Sequence, residues 1–317
     1  MLSGHDAAWG EWRAAMASPR MHHAWILSGL AGLGKGAFAR AAAAELVAEP
    51  GIHQPEPEHH PDVVIVDPLP ATEADSERKQ EGKPYHTKRS IGVDQVRLMR
   101  HRLETRPTLG SRRVVILDPA DGLEPSAANA LLKSLEEPPQ GTFFLLVAHR
   151  MGRLLPTIRS RCRVLRFALL EEAEVARILG REAPEADAAT RAAAAAAAEG
   201  SPGAALTFVG QELGALLPLM QRLVREGDPR FELRGALAEE IGARPQRERI
   251  AATLDLARAV LARELRGADR MGQAAIVEAY TALVRLTAQA PTYNFDPGLL
   301  AMEIGGLLAS AAVPKAA

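Results

Sequence analysis

A glycine-rich segment near the start of the chain constrains the fold more than any other feature. It reads Gly29-Leu30-Ala31-Gly32-Leu33-Gly34-Lys35-Gly36 and lies between a short apolar run at 24–28 and a helix-forming segment at 37–48. Through Lys35 it matches the phosphate-binding pattern G-x-x-x-x-G-K, in which backbone N–H groups surround phosphate oxygens and the lysine adds a positive charge. A strand, a glycine turn and a helix form the context that this pattern requires. We therefore predict a phosphate-loop core, with a turn kept for its shape alone as the plainer alternative.

Apolar runs of strand length recur through the first half of the chain and stop after Phe167. Such runs, separated by helix-forming segments, are typical of a parallel sheet that helices cover on both faces. The expected strands lie at 24–28, 61–67, 113–118, 143–148 and 163–167. By contrast, 68–90 has prolines and charges of both signs without periodicity, which indicates an exposed loop. We therefore predict the α/β class, with a parallel-sheet phosphate-loop core at 1–167, a small helical unit at 168–208 and an all-α domain at 209–317.

The chain lacks two residues that nucleotide hydrolysis at a phosphate loop normally needs. The pattern calls for Ser or Thr after the lysine, whose hydroxyl binds Mg²⁺, but this chain has Gly36. Asp118 ends the third expected strand, where a magnesium-associated carboxylate belongs, but the next residue is Pro119, which has no acid group. The plainer alternative for Asp118 is a carboxylate that caps a turn. We expect hydrolysis to suffer more than binding, and the sequence leaves open whether ATP or ADP binds. The candidate nucleotide-binding residues are Gly29, Gly32, Gly34, Lys35, Gly36 and Asp118.

Composition narrows the cellular setting and the cofactors. The formal net charge of −1 gives no whole-chain attraction to nucleic acid or to an anionic membrane. A single cysteine, Cys162, excludes an internal disulfide and suits a reducing cytosol. His53, His59 and His60 do not make up a tetrahedral ligand set, so we expect no zinc and no other metal site. No apolar run approaches a membrane span and residues 1–6 lack the basic start of a secretory signal, so we expect a cytoplasmic protein with no membrane partner.

Three further segments carry a resemblance to a known family. They are Asn129-Ala130-Leu131-Leu132-Lys133-Ser134-Leu135-Glu136-Glu137-Pro138-Pro139, the apolar run 143–148, and Leu155-Pro156-Thr157-Ile158-Arg159-Ser160-Arg161-Cys162. In combination they resemble bacterial sliding-clamp loader subunits of the AAA+ class, from about residue 20 to residue 206. The resemblance implies an AAA+ core followed by a helical lid, and a C-terminal helical collar that assembles into a heteropentameric ring.

The resemblance also implies a role for Arg161. In such rings the arginine of the Ser-Arg-Cys segment projects into the ATP site of the adjacent ATPase subunit, where an always-charged guanidinium suits phosphate oxygens. The implied function is that of a non-catalytic subunit that supports ATP-driven loading of the sliding clamp onto primed DNA during replication. The implied partners are tau/gamma-type ATPase subunits and the delta subunit, with the clamp and primer–template DNA as further contacts within the complex. On residue type alone, Arg161 would instead pair with a local carboxylate.

Three departures from the ATP-hydrolysing relatives agree with one another. Gly36 and Pro119 are two of them, and the third is Gly200-Ser201-Pro202-Gly203, where the active relatives carry an arginine that reaches the γ-phosphate. Two other functions remain open. An active AAA+ ATPase would show Mg²⁺-dependent hydrolysis that is lost in Lys35→Ala, and a nucleotide-binding scaffold in replication or repair would bind ATP tightly without turnover.

Overall fold

The chain divides into two compact units, Met1–Leu169 and Leu170–Ala317. The computed structural model describes residues 4–290 and 295–312. The strands of the first unit are β1 Ala24–Ser28, β2 Val63–Val66, β3 Arg113–Leu117, β4 Thr142–Ala148 and β5 Arg163–Arg166. Its helices are α1 Asp6–Met16, α2 Lys35–Val47, α3 Glu73–Gln80, α4 Val93–Leu103, α5 Pro125–Glu136 and α6 Pro156–Arg159. The predicted strands are thus all present, to within a residue or two at each end.

The strands form one parallel sheet in the order β2-β3-β4-β1-β5. Ile26 of β1 pairs in register with Leu146 of β4 and with Val164 of β5. In a parallel sheet the carboxyl ends of all strands lie at one edge, and ligand sites of α/β proteins form there. The loops that follow β1, β3 and β4 therefore meet at the edge where a site is expected.

Side chains of each strand alternate between two buried layers, as the period of two requires. On one face Trp25 and Leu27 pack with α1 and α2, and Trp12 of α1 lies with its ring centroid 5.6 Å from that of Trp25. On the other face Ala24 and Ile26 pack against α4 and α5. Helices thus cover both faces, which explains why β1, β3 and β4 are mostly apolar and almost entirely buried.

The prediction of a loop throughout 68–90 was wrong, because this segment contains α3. Thr72 caps the helix, its Oγ1 accepting from the backbone N–H of Asp75 at 3.1 Å. The carboxylate of Asp75 in turn accepts from the Thr72 hydroxyl and from the backbone N–H of His86. The helix has no apolar stripe, since Asp75 is its one buried residue. Capping and local charges stabilise it instead, and hydrophobic periodicity cannot reveal such a helix.

A buried ion pair fixes the segment between α4 and β3. Asp62 and Arg113 approach to 3.5 Å and both side chains are almost fully buried. The Asp62 carboxylate also accepts from the backbone N–H groups of Thr108 and Leu109, each at 2.7 Å. Buried charges of this kind are tolerated because hydrogen bonds satisfy them.

The second unit consists of helices within its described residues. They are α7 Glu172–Glu182, α8 Ala188–Ala197, α9 Pro202–Gly210, α10 Leu216–Glu226, α11 Glu232–Ile241, α12 Arg247–Leu265, α13 Arg270–Gln289 and α14 Pro297–Ser310. One apolar cluster contains residues from α7 through to α14. The division of this region into a lid at 168–208 and a collar at 209–317 stays a prediction, as does the core boundary at 167.

Residues 4–290 and 295–312 give little indication of a membrane-spanning helix. No single helix there has the length and apolar composition to cross a membrane. Pro202–Gly210 and Leu213–Glu226, which meet at a bend of 101°, reach that length and apolar composition only when the two segments are counted together.

Candidate functional site

The phosphate loop connects β1 to α2 at the carboxyl edge of the sheet. Gly32 and Gly34 have φ values of 80° and 75°, in the left-handed region where glycine has no steric penalty. At Gly29 a Cβ atom would lie 2.6 Å from the backbone oxygen of Phe167, so only glycine fits there. These three predicted residues therefore have backbone reasons to be glycine, and the loop has the strand–turn–helix form that the pattern requires.

Two backbone oxygens of this loop accept hydrogen bonds from side chains of the chain itself. Lys35 is buried, and its Nζ donates to the backbone oxygen of Leu30 at 2.5 Å. On the other side of the loop, the ring of His5 donates from Nε2 to the backbone oxygen of Leu33 at 2.7 Å. Burial lowers the pKa of Lys35 to about 8, because a desolvated ammonium is disfavoured. Nearby Asp118 and Asp121 oppose this shift.

Gly36 and Asp118, two of the candidate nucleotide-binding residues, lie against each other. A Cβ atom at Gly36 would lie 2.4 Å from Oδ2 of Asp118, so neither Ser nor Thr fits while the carboxylate keeps this position. The guanidinium of Arg40 contacts this carboxylate. Its Nη1 lies 3.4 Å from Asp118 Oδ2 and donates to the Gly36 oxygen at 3.0 Å, while its Nε pairs with Glu58 at 3.0 Å.

Mg²⁺ does not fit this arrangement. The hydroxyl ligand is missing, a side chain in its place would clash, and Arg40 already supplies positive charge to Asp118. The sequence reasoning missed Arg40 and Glu58. A signal for Arg40 was available, because residues four apart on a helix lie on the same face and Arg40 follows Gly36 by four.

A second buried carboxylate, Asp121, links the loops after β3 and β4. It accepts from the backbone N–H of His149 at 2.7 Å and lies 3.7 Å from Nε of Arg150. The pKa of His149 is lowered, first by burial and then by the charge of Lys35. Within the described residues, Nδ1 of His149 is buried without a hydrogen-bond partner. His149 was not predicted, and it brings a neutral imidazole to the edge that carries the phosphate loop.

Arg161 lies in the turn after α6. Its Nη2 pairs with Oε1 of Glu136 at 2.6 Å, and its Nη1 donates to the Thr157 oxygen at 2.9 Å and to the Ser160 hydroxyl at 3.3 Å. About a third of the Arg161 side chain is exposed, at 34%. In the structure Arg161 therefore pairs with a local carboxylate, as its residue type alone suggested. Its role as an arginine finger stays a prediction.

An open cleft of about 510 Å³ borders Arg161. It is lined by His22, His23, Leu135, Glu136, Ser160 and Arg161. The ring of His23 donates to the backbone oxygen of Leu135 at 2.9 Å and stacks on His22 with centroids 4.7 Å apart. Burial raises the pKa of the neighbouring Cys162 thiol to about 12, so this cysteine is an unreactive thiol at neutral pH.

The remaining segments singled out in the sequence make local contacts. In the second unit Ser201 caps α9, its hydroxyl accepting from the backbone N–H of Ala204. His60, one of the three clustered histidines, bonds to Gln54 and to the backbone of Asp62. Over the described part of the chain no group of three or more His, Cys, Asp or Glu side chains could hold a metal ion. The absence of zinc stays a prediction.

Comparison with known proteins identifies the family. The family described as "DNA polymerase III, delta subunit" matches residues 4–171, which is more than half of the chain. The DNA polymerase III subunit delta' of Pseudomonas aeruginosa is 40% identical over 151 residues, or 44% of this chain and 41% of that protein. The subunit delta' of Escherichia coli is 43% identical over 141 residues, or 44% of this chain and 42% of that protein. The matched segments thus span less than half of either relative.

The fold of the whole chain also has a solved counterpart. A DNA polymerase III gamma subunit-related protein from Thermotoga maritima superposes with a TM-score of 0.53 at 19% identity, covering 95% of this chain and 98% of that chain. At this identity the likeness concerns the fold alone, and it supports the predicted combination of an α/β core with a helical C-terminal region. By the family match and the delta' relatives, the chain belongs to the family of bacterial DNA polymerase III delta-prime subunits.

Proposed function

We propose that this chain is a non-catalytic subunit of the DNA polymerase III clamp-loader complex. In that role it supports ATP-driven loading of the sliding clamp onto primed DNA, and it contributes Arg161 to the ATP site of a neighbouring tau/gamma-type subunit. The delta subunit is its other proposed partner in the loader, and the cytoplasm its proposed location. The observation that carries the proposal is the arrangement of Gly36, Asp118 and Arg40, in which a guanidinium accompanies the carboxylate and no hydroxyl is present.

This arrangement argues against turnover at the chain's own loop. In phosphoryl transfer Mg²⁺ bridges the outer phosphates and neutralises the charge that develops there, and an acidic or polar side chain positions the water. Here the place of the metal's hydroxyl ligand is closed, and Pro119 cannot accept a proton from water. An ATPase reaction in the complex would then depend on the neighbouring subunits.

The surroundings of Arg161 suit a group that reaches a partner. It lies on an open cleft, its side chain is 34% exposed, and its carboxylate partner Glu136 is 47% exposed. A guanidinium keeps its charge at any physiological pH and presents two parallel N–H donors to phosphate oxygens. Exposure of both partners means that Arg161 can leave Glu136 at a small cost, since exposed ion pairs are weak.

The test replaces Arg161 by Ala in the reconstituted loader. An arginine finger is worth about 10³–10⁵ in rate in other systems, so turnover at the site it serves should fall at least tenfold, and clamp loading should slow. The matched control is Arg159→Ala. It also removes one positive charge, at an exposed position two residues before Arg161. Wild-type turnover and clamp loading in the Arg161 variant would refute the proposal.

A nucleotide-binding scaffold is a second candidate, favoured by the preserved form of the loop. Gly32 and Gly34 retain their left-handed backbone and Lys35 stands at the first position of α2. Calorimetry with ATP, with and without Mg²⁺, separates the two. Binding that is independent of Mg²⁺ and lost in Lys35→Ala supports a scaffold, and no binding supports the first proposal alone.

A further inference from the structure

We propose that Glu136 acts as a latch that holds Arg161 in the free subunit and competes for its guanidinium with the phosphates of the neighbouring site. This inference rests on the proposed function, because it concerns how the finger of that function is released. The carboxylate therefore regulates how readily Arg161 reaches a neighbour, and it takes no part in the reaction itself.

Both terminal nitrogens of Arg161 are already engaged. Nη2 contacts Glu136 Oε1 at 2.6 Å, while Nη1 donates to the Thr157 oxygen at 2.9 Å. A guanidinium carries two N–H groups on each terminal nitrogen, and an end-on fork to phosphate takes one from each. Nη1 already donates to the Thr157 oxygen and to the Ser160 hydroxyl, so Arg161 must give up a present contact to form that fork. The Glu136 carboxylate competes with the phosphate for the same positive charge.

The latch has a fixed side and a movable side. Glu136 is the last residue of α5, and the neighbouring Leu135 is buried while its backbone oxygen accepts from His23. Arg161 instead follows α6, a helix of only four residues, and its guanidinium reaches Glu136 along a long flexible side chain. Release therefore requires rotation of the Arg161 side chain and leaves α5 in place.

The position of Glu136 at the end of α5 favours an ion pair with Arg161, but the pair stays weak. The C-terminal end of a helix carries partial negative charge, so a carboxylate there gains from a nearby cation. Both side chains of the pair are partly exposed, at 34% and 47%, so water replaces the lost contact when Arg161 leaves. A phosphate group with more than one negative charge can thus displace a single carboxylate.

The matched variants are Glu136→Gln and Glu137→Gln, which remove one charge each from adjacent exposed positions. Within the described residues Glu136 is paired with Arg161, while Glu137 has no ion pair within 4.0 Å. In the full free chain, we expect Glu136→Gln to raise the rate at which phenylglyoxal modifies Arg161 by about two- to fivefold, the range for an exposed pair. Peptide mass spectrometry measures this rate, and Glu137→Gln should match the wild type.

The second measurement uses the reconstituted loader, where ATP turnover is followed as each variant is added to the other subunits. Glu136→Gln should reach half-maximal turnover at a lower concentration than the wild type. If Arg161→Ala lowers turnover but Glu136→Gln behaves like Glu137→Gln in both measurements, the latch is wrong and the finger stands. If Glu136→Gln lowers turnover toward that of Arg161→Ala, Glu136 positions the finger and the latch is overturned. If Arg161→Ala leaves turnover unchanged, the proposed function fails, and the latch fails with it.

Discussion

Replacing Gly36 by Ala tests whether the closed contact with Asp118 defines this site. The added Cβ would lie 2.4 Å from Asp118 Oδ2, while ordinary contacts begin at 3.4 Å. The carboxylate must therefore move by about 1 Å, which draws it away from Arg40. If it does not move, the start of α2 must shift instead.

The expected cost is the balance of three terms. The opposing atom is the end of a side chain that can move, so overpacking costs about 1 kcal/mol, the low end of its usual range. Loss of the partly exposed pair with Arg40 adds at most about 1 kcal/mol, and alanine returns up to about 1 kcal/mol through its better helix propensity. The net destabilisation is about 1 kcal/mol, which for a unit of this size lowers Tm by about 2–4 °C.

Tryptophan fluorescence gives a clean assay, because the three tryptophans of the chain, Trp9, Trp12 and Trp25, all belong to the first unit. Urea or heat unfolding followed in this way reports the unit that contains Gly36. The control is the same substitution in an Asp118→Ala background, where no carboxylate opposes the new methyl group. There it should be neutral, or stabilising by up to about 1 kcal/mol. An equal loss of stability in both backgrounds would refute the steric argument.

Two further predictions concern buried charges, and the same fluorescence measurement checks both. Burial lowers the pKa of Lys35 from 10.5 to about 8, so between these pH values the unfolded chain holds a proton that the folded chain lacks. Wild-type stability should therefore rise relative to Lys35→Met as pH increases through this window, by up to about 1.4 kcal/mol per pH unit, and parallel curves would contradict this. Asp62→Asn should cost about 3–5 kcal/mol, because it leaves Arg113 buried without its counter-charge, and a loss below about 1 kcal/mol would contradict that.

The sequence predicted the sheet well because its strands are buried on both faces. The apolar runs that became β1, β3 and β4 cannot be mistaken for amphipathic segments, and the glycines of the loop fix where α2 begins. The helix α3 was missed for the opposite reason. Its stability comes from Thr72, Asp75 and contacts with His86, which leave no hydrophobic period to detect.

The site was only half predictable. The structure brings together Gly36 and Asp118, two of the candidate nucleotide-binding residues, while the role of the site stays a prediction. The spacing of four from Gly36 pointed to the helix face of Arg40, but its pairing with Asp118, 78 residues away, depends on how α2 is rotated against the sheet. For Arg161 the sequence left two partners open, a phosphate in a neighbouring subunit and a carboxylate in the same chain. The structure of one chain shows only the pairing with the carboxylate.

The contacts that join Asp118, Arg40 and Glu58 have a consequence for the electrostatics of this edge of the sheet. The positive charge beside Asp118 belongs to a side chain of the same polypeptide, so its supply does not depend on the concentration of a free cation. We therefore expect the charge balance around Asp118 to be the same at low and at high magnesium concentration.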